Sequence, residues 1–483
     1  MKEFSTIANV TSGREERRTC STAAGCGERR ERLNVYFLGI GGIGMSALAR
    51  YFLHEGQRVA GYDRLRSHLT DQIEAEGAVV HYEEDPALIP ADFRDPATTI
   101  VVYTPAVPAD HTELRWFEEH GFEIVKRSQM LGYLSQGKFV MAVAGTHGKT
   151  TTTTLVAWLN HRVTGGGSAF LGGISRNFSS NLVLGRGRRL AVEADEFDRS
   201  FLRLWPDVAV VTSADADHLD IYGTAEAYRE SFEKFTSLIR PDGCLLIKKG
   251  INVTPRLQEG VKKYTYSVTE IADFYAENIR ICDGNITFDF VGPEIRIPDV
   301  ELGVPVKVNI ENGVAAMAIA WLNGVKPEDL KKGMATFAGP RRRFDFHLKT
   351  DQVVLIDDYA HHPQEISATL KAAENYPHKR LWVVFQPHTY TRTKAFLDEF
   401  AQALSGADEV ILADIFAARE TDTLGVSSRD IAERLEKLGT SVHYIPSFDE
   451  IETFILEHCI HGDLLITMGA GDIVKVGEKL LGL

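Results

Sequence analysis

The chain has 483 residues, a net charge of −14, 44% hydrophobic and 25% charged residues. That is an ordinary globular balance, with room for two to four domains of roughly 150 residues each. The acidic charge argues against a general nucleic-acid binder, and no apolar run approaches the roughly 18 residues of a membrane span. No signal-type apolar segment is visible near the N-terminus. The five scattered cysteines (Cys20, Cys26, Cys244, Cys282, Cys459) lack metal spacing and read as free thiols of a reducing cytoplasm.

Residues 1–32 are rich in Ser, Thr, Gly, Arg and Glu without apolar periodicity, and read as a disordered tail. Leu33 to Leu38 then reads as a strand, Gly39-Ile40-Gly41-Gly42-Ile43-Gly44 as a turn, and Met45 to His54 as a helix. A second strand ends at Asp63, about 20 residues beyond the glycines. This is a dinucleotide-type fingerprint, and alone it would suggest a nicotinamide-dependent dehydrogenase. Physically it says less: the turn lets a diphosphate approach the backbone, and Asp63 can accept from a ribose hydroxyl or a base N–H. The strand Thr99 to Tyr103 ends in Thr104-Pro105, a turn expected at the same carboxyl edge.

The apolar run from Val140 leads into Gly145-Thr146-His147-Gly148-Lys149-Thr150-Thr151, and Thr154 to Leu159 reads as the helix that follows. Strand, Gly-Lys-Thr turn and helix form a phosphate cradle of backbone N–H groups. Lys149 would reach the β/γ-phosphates and the Thr150 hydroxyl would sit on Mg²⁺. Val143 stands where the usual first glycine of such a loop would be. Two further strands, taken as neighbours, end in Glu193-Ala194-Asp195-Glu196 and in Asp215-Ala216-Asp217-His218-Leu219-Asp220. Carboxylates there suit Mg²⁺ held partly by substrate phosphates. Asn312 lies just ahead of a small-residue helix, Val314 to Leu322, where it could bond an adenine or cap the helix.

The last part repeats strand–helix alternation, with polar groups at strand ends: Asp357-Asp358-Tyr359 with His361-His362-Pro363, Gln386-Pro387-His388 with Arg392, and Gly469-Ala470-Gly471-Asp472. Arg341-Arg342-Arg343 marks the junction before it. The fold expected is α/β with three domains, each with a mostly parallel sheet. They are a Rossmann-like domain over 33–127, a P-loop ATPase-like central domain over 128–338 and a Rossmann-like C-terminal domain over 339–483.

These blocks, in this order, resemble the Mur ligases, and the first block resembles the alanine-adding branch of that family. The resemblance implies that the first domain binds the UDP of UDP-N-acetylmuramate, the second MgATP, and the third the incoming L-alanine. It implies an ATP-dependent ligation through an acyl phosphate, in peptidoglycan precursor synthesis in the cytoplasm, by a monomer or weak homodimer. By the same resemblance, Lys149, Glu193, His218 and Arg392 are catalytic, with Thr150 on a first Mg²⁺ and Glu193 and His218 on a second. ATP would meet Gly145, Thr146, His147, Gly148, Lys149, Thr150, Thr151, Asn312, Arg343 and Asp358. The UDP-substrate would meet Gly41, Gly42, Ile43, Gly44, Met45, Asp63, Thr104 and His361. Ser213, Thr389 and Glu311 depart from the family pattern, and Lys234 is a candidate for the modified lysine of several relatives. Addition of a ready-made peptide, or of another amino acid, is the alternative. A dehydrogenase would not need the Gly-Lys-Thr loop, and a silent scaffold would not need Lys149, Glu193 and His218.

Overall fold

The computed structural model describes residues 33–482 except 162–165, 283, 351 and 419. The tail expected over 1–32, with Cys20 and Cys26, lies outside the described residues, as does the side chain of Asp220. The chain divides into two compact units. One holds the residues up to Tyr275 with Gly292–Glu294 and Val314–Leu330; the other holds Ala276–Val291, Ile295–Gly313 and the residues from Lys331 on.

In the first unit, β1 (Asn34–Leu38), β2 (Arg58–Tyr62), β3 (Val79–His81), β4 (Thr99–Tyr103) and β5 (Glu123–Lys126) form a sheet in the order β3-β2-β1-β4-β5. All four neighbouring pairs in it are parallel. Buried on both faces, β1 reads as a continuous run of large apolar side chains after its first residue, Val35-Tyr36-Phe37-Leu38. Helix α1 (Ile43–His54) follows β1, α2 (Thr112–Glu119) follows β4, and α3 (Arg127–Ser135) follows β5.

The second sheet of this unit contains β6 (Phe139–Ala144), β7 (Ser168–Ser175), β8 (Ser180–Val183), β9 (Arg189–Glu193), β10 (Val208–Val211), β11 (Cys244–Lys248) and β12 (Lys262–Ser267), in the order β8-β7-β9-β6-β10-β11-β12. It is parallel apart from the β7–β8 hairpin. The two acid-bearing strands are therefore not neighbours, contrary to the sequence reading: β6 lies between β9 and β10. The phosphate loop consequently has one acidic loop on each side. Helix α4 (Lys149–Asn160) begins at the lysine, five residues earlier than expected, because the run Thr150 to Thr154 is already helical.

The stretch joining these two sheets is tightly packed. One apolar cluster runs from Phe37, Met45 and Phe52 to Phe170, Leu182 and Val192. Asn181, fully buried on β8, donates to the Ile43 carbonyl at 2.7 Å and the Ser46 hydroxyl at 2.8 Å, while Arg50 donates to Ser180 at 2.7 Å.

In the second unit β13 (Phe274–Cys282, from Ala276 on), β14 (Asn285–Gly292) and β15 (Ile295–Glu301) are consecutive neighbours. Helix α5 (Val308–Leu322), which belongs to this unit only up to Gly313, starts earlier than expected, so Asn312 lies inside it and does not cap it. A further sheet holds β16 (Asp345–Lys349), β17 (Val354–Asp358), β18 (Leu381–Phe385), β19 (Glu409–Leu412), β20 (Ser441–Tyr444) and β21 (Leu464–Met468), in the order β16-β17-β21-β18-β19-β20. Only β16 runs antiparallel.

One buried polar chain in the first sheet makes a prediction about stability. The Tyr36 hydroxyl lies 2.6 Å from Glu113 Oε2 and 2.7 Å from His81 Nε2, and Glu113 is fully buried. His81 Nδ1 faces the Glu83 carbonyl at 2.8 Å, so its proton sits there and Nε2 accepts when the ring is neutral. Two hydrogen bonds then need two protons and the tyrosine brings one, so the chain is complete when Glu113 is protonated. Burial pushes the Glu113 carboxyl up to about 7. A raised folded-state pKa contributes stability that is full below the usual carboxylate range and is lost as pH rises through about 7. Burial pulls His81 down, so its contribution runs the other way. Comparison with Glu113→Gln isolates the carboxyl: the melting temperature of the wild type relative to the variant should fall between pH 5 and 8. A constant difference would show that Glu113 does not titrate there.

Candidate active site

The phosphate loop is shaped by two glycines. Gly145 has φ +144°, and a Cβ there would lie 2.0 Å from Thr212 Oγ1; Gly148, with φ +78°, leads into α4. The first backbone bond of α4 runs from the Thr152 N–H to the Gly148 carbonyl at 2.9 Å. The amides of Lys149, Thr150 and Thr151 are thus the open N-terminal donors of the helix, positioned for an anion. Ser213, one of the departures from the family pattern, has a use here: its hydroxyl accepts from the His147 N–H at 2.8 Å, while Thr212 donates to the His147 carbonyl at 2.6 Å. The Thr146 hydroxyl meets the Asp215 carbonyl and the buried Tyr228 hydroxyl. The His147 ring faces Asp215 at 3.9 Å.

The acidic loop after β9 closes on this cradle. Thr150 Oγ1 donates to Glu193 Oε2 at 2.9 Å. Lys149 Nζ donates to Glu196 at 2.8 Å and to the carbonyls of Gly145 and Thr146 at 2.7 and 3.2 Å. Burial pulls the lysine down, but Glu196, Glu193 and Asp195 together outweigh it and keep the ammonium charged. Burial pushes the Glu196 carboxyl up to about 7 against the pull of Lys149. Glu196 Oε2 is buried with no hydrogen-bond partner among the described residues. The Glu196–Lys149 pair went unread in the sequence, where Glu196 looked like one acid among several.

His218 comes from the loop beyond β10 in a left-handed conformation, φ +52°. Its backbone N–H donates to Asp217 Oδ1, and its ring packs edge-on against Phe197 of the other acidic loop at 5.2 Å. The two loops therefore meet although β6 separates their strands. Among the described residues no three His, Cys, Asp or Glu side chains form a metal cluster by themselves. The Thr150 and Glu193 oxygens, beside open helix amides, are hard donors of the kind that suits Mg²⁺ shared with phosphate oxygens and water. The donor set thus fits that ion. Lys234, near the end of the helix Ala225–Thr236, offers its backbone carbonyl to Ser237.

The glycine loop of the first sheet is a second cradle in the same unit. The first helical bond of α1 runs from the Ser46 N–H to the Gly42 carbonyl, leaving the amides of Ile43, Gly44 and Met45 as open N-terminal donors. The Met45 side chain is buried in the core, so only its backbone is offered to a ligand. Asp63 accepts from the Gly41 N–H at 2.7 Å and the Leu65 N–H at 3.2 Å, so it also braces the loop. Thr104 lies against Gly39, at the same edge as expected: a Cβ at Gly39 would be 3.0 Å from its methyl group.

In the second unit Asp358 is buried at the end of β17 and accepts from the N–H groups of Phe344 and Ala360. Burial pushes its carboxyl up to about 6. Arg343 faces Glu365 at 3.8 Å and lies over the Tyr359 ring. The His361 ring packs near that of His388, which is 3.1 Å from Arg392 Nη1. Burial holds the His361 imidazole below its usual range. Thr389, another departure from the family, caps the helix Tyr390–Ala395. Asn312 is buried in α5, and its side-chain amide donates to Asn309 at 3.1 Å; the neighbouring departure, Glu311, lies in the same turn.

A Gly-Lys-Thr turn between strand and helix, with a paired threonine and carboxylate, on a mostly parallel sheet, defines an α/β protein with an anion-shaped cradle at a strand end. Three family models match consecutive stretches: the Mur ligase family catalytic domain over 34–139, the Mur ligase middle domain over 143–320 and the Mur ligase glutamate ligase domain over 342–471. The chain belongs to the Mur ligase family. It is 69% identical to a UDP-N-acetylmuramate–L-alanine ligase of Parabacteroides distasonis, over 83% of this chain and 87% of that one. It is 54% identical to one of Phocaeicola vulgatus, over 93% and 98%. Among solved structures it resembles a UDP-N-acetylmuramate–alanine ligase of Thermotoga maritima, with TM-score 0.80, 26% identity and 93% and 99% coverage. A murein peptide ligase of Psychrobacter arcticus shares the fold, with TM-score 0.69, 23% identity and 93% and 98% coverage.

Proposed function

We propose that the protein joins L-alanine to the lactyl carboxylate of UDP-N-acetylmuramate at the expense of ATP. The observation that carries this reading is the Lys149–Thr150–Glu193–Glu196 constellation on a Gly-Lys-Thr cradle, in a chain whose relatives at 54–69% identity are named as ligases of that substrate pair. A carboxylate becomes an acylating agent when one of its oxygens takes a phosphoryl group. Its oxygen attacks the γ-phosphorus and ADP departs; the alanine amine then attacks the acyl carbon and phosphate departs. Two anions must approach in the first step, so fixed positive charge has to offset them. Lys149 supplies that charge, and the amides of Lys149, Thr150 and Thr151 hold the phosphates. Thr150, Glu193 and His218 would hold Mg²⁺, which when bound withdraws charge from the phosphate oxygens. The open amides of Ile43, Gly44 and Met45 receive the substrate diphosphate. Asn312, Arg343 and Asp358 serve the nucleotide, and His361 and Arg392 the other substrates.

The test is phosphate release from ATP with UDP-N-acetylmuramate and each amino acid in turn, with the Ala-Glu-containing peptide in a parallel arm. Release that depends on L-alanine is expected. Release with the peptide and not with alanine would move the protein to the peptide-adding branch.

A further inference from the structure

Two cations stand at the start of α3, where local preference favours acids: Lys126 at the N-cap and Arg127 at the first helical position, with no acidic residue in the first turn. Arg127 also lies across the N-terminus of α1. A Cβ at Gly44 would sit 2.7 Å from its Nη1 and 3.3 Å from its Cζ, so glycine is what lets the guanidinium lie against that turn. A cation facing two helix N-termini is poorly placed unless anions are near. One is Asp195, whose Oδ2 accepts from Arg127 Nη2 at 3.0 Å. Its other oxygen accepts from the Phe197 N–H at 3.1 Å. Lys126 pairs with Asp198 at 2.7 Å.

These contacts converge on one short loop. Glu193 pairs with Thr150, Asp195 with Arg127, Glu196 with Lys149, and Asp198 with Lys126. Asp198 and Arg199 sit in consecutive left-handed conformations, φ +51° and +54°, which cost non-glycine residues energy and persist only where surrounding contacts impose them. The same loop therefore holds the catalytic lysine at one end and reaches the glycine loop of the first sheet at the other.

We infer that Arg127 is a positioning residue that binds the diphosphate of the UDP-substrate beside Gly44 and, through Asp195, couples occupancy of that loop to the ATP cradle. The inference rests on the reading above that the Gly44 turn receives a diphosphate. An anion there draws the guanidinium from Asp195, and the loop that holds Lys149 relaxes toward the nucleotide. Coupling of this kind is reciprocal: each ligand tightens the other by the same factor.

The experiment is calorimetric binding of UDP-N-acetylmuramate and of a non-hydrolysable ATP analogue, each alone and each with the other saturating, for wild type, Arg127→Gln, Arg127→Lys and Asp195→Asn. Wild type should bind the analogue about fivefold or more tightly when UDP-N-acetylmuramate is present. Arg127→Gln should weaken UDP-N-acetylmuramate about tenfold and abolish the enhancement. Asp195→Asn, nearly isosteric, should keep UDP-N-acetylmuramate affinity and lose the enhancement. Arg127→Lys, with the charge but not the fork, should retain part of the affinity and none of the enhancement. A purely structural ion pair predicts instead that all variants keep wild-type affinity and coupling, which would overturn the inference. Wild type that binds UDP-N-acetylmuramate without enhancement would overturn it too, and leave the proposed reaction standing. Wild type that binds no UDP-N-acetylmuramate would overturn both.

Discussion

Replacing Lys149 by alanine is expected to lower phosphate release by about 10²-fold or more, with the fold retained, because a fixed charge aimed at a transferring phosphoryl group is among the larger single contributions to such a reaction. The structure adds a second consequence. Lys149 bridges the carbonyls of Gly145 and Thr146 to Glu196, so its loss leaves those groups and a buried carboxyl without their partner. Some loss of melting temperature should accompany the loss of rate. The double variant Lys149→Ala with Glu196→Gln removes the buried ionisable group left without its partner. It should recover stability without recovering turnover, which separates the catalytic role from the structural one. Turnover within a few-fold of wild type in Lys149→Ala would remove the loop from the chemistry.

The second large effect concerns Glu193 and His218. Glu193 ends β9 and His218 lies in the loop beyond β10, the two strands that flank β6, and the Phe197–His218 ring contact joins the loops that follow those strands. If both hold one Mg²⁺, removing either empties the same site. Glu193→Ala and His218→Ala should then each raise the Mg²⁺ requirement and lower turnover by about 10²-fold, and the double variant should be little worse than the poorer single one, as for groups that act as a unit. Magnesium titrations of phosphate release for all four proteins decide this. Additive losses at an unshifted Mg²⁺ dependence would assign the two residues to separate roles.

Much of this site can be read locally. β6, the glycine turn and the Lys-Thr helix start are contiguous, and each residue type has a local reason to be there. The glycine turn after β1 is equally legible, because a strand, a tight turn and a helix leave one pattern. What escaped the sequence depends on partners far apart in the chain. Arg127 meets Asp195 across 68 positions and Lys149 meets Glu196 across 47, and an acid among four acids carries no mark of its partner. The order of β9, β6 and β10 is hidden for a similar reason: strands consecutive in the chain need not pair, and periodicity is silent on insertion of a third strand between them. Helix starts differ where polar residues resemble a turn: Thr150 to Thr154 in α4, and Asn309 to Gly313 in α5, are helical because their neighbours' packing outweighs weak local preference.

The central claim is that the lactyl carboxylate is activated by phosphoryl transfer and captured by alanine. Oxygen-18 in that carboxylate tests it most directly. With labelled UDP-N-acetylmuramate, L-alanine and ATP, mass spectrometry should find one labelled oxygen in the released phosphate and the other in the alanylated nucleotide product. Unlabelled phosphate, or phosphate released with no alanylated product, would contradict the account.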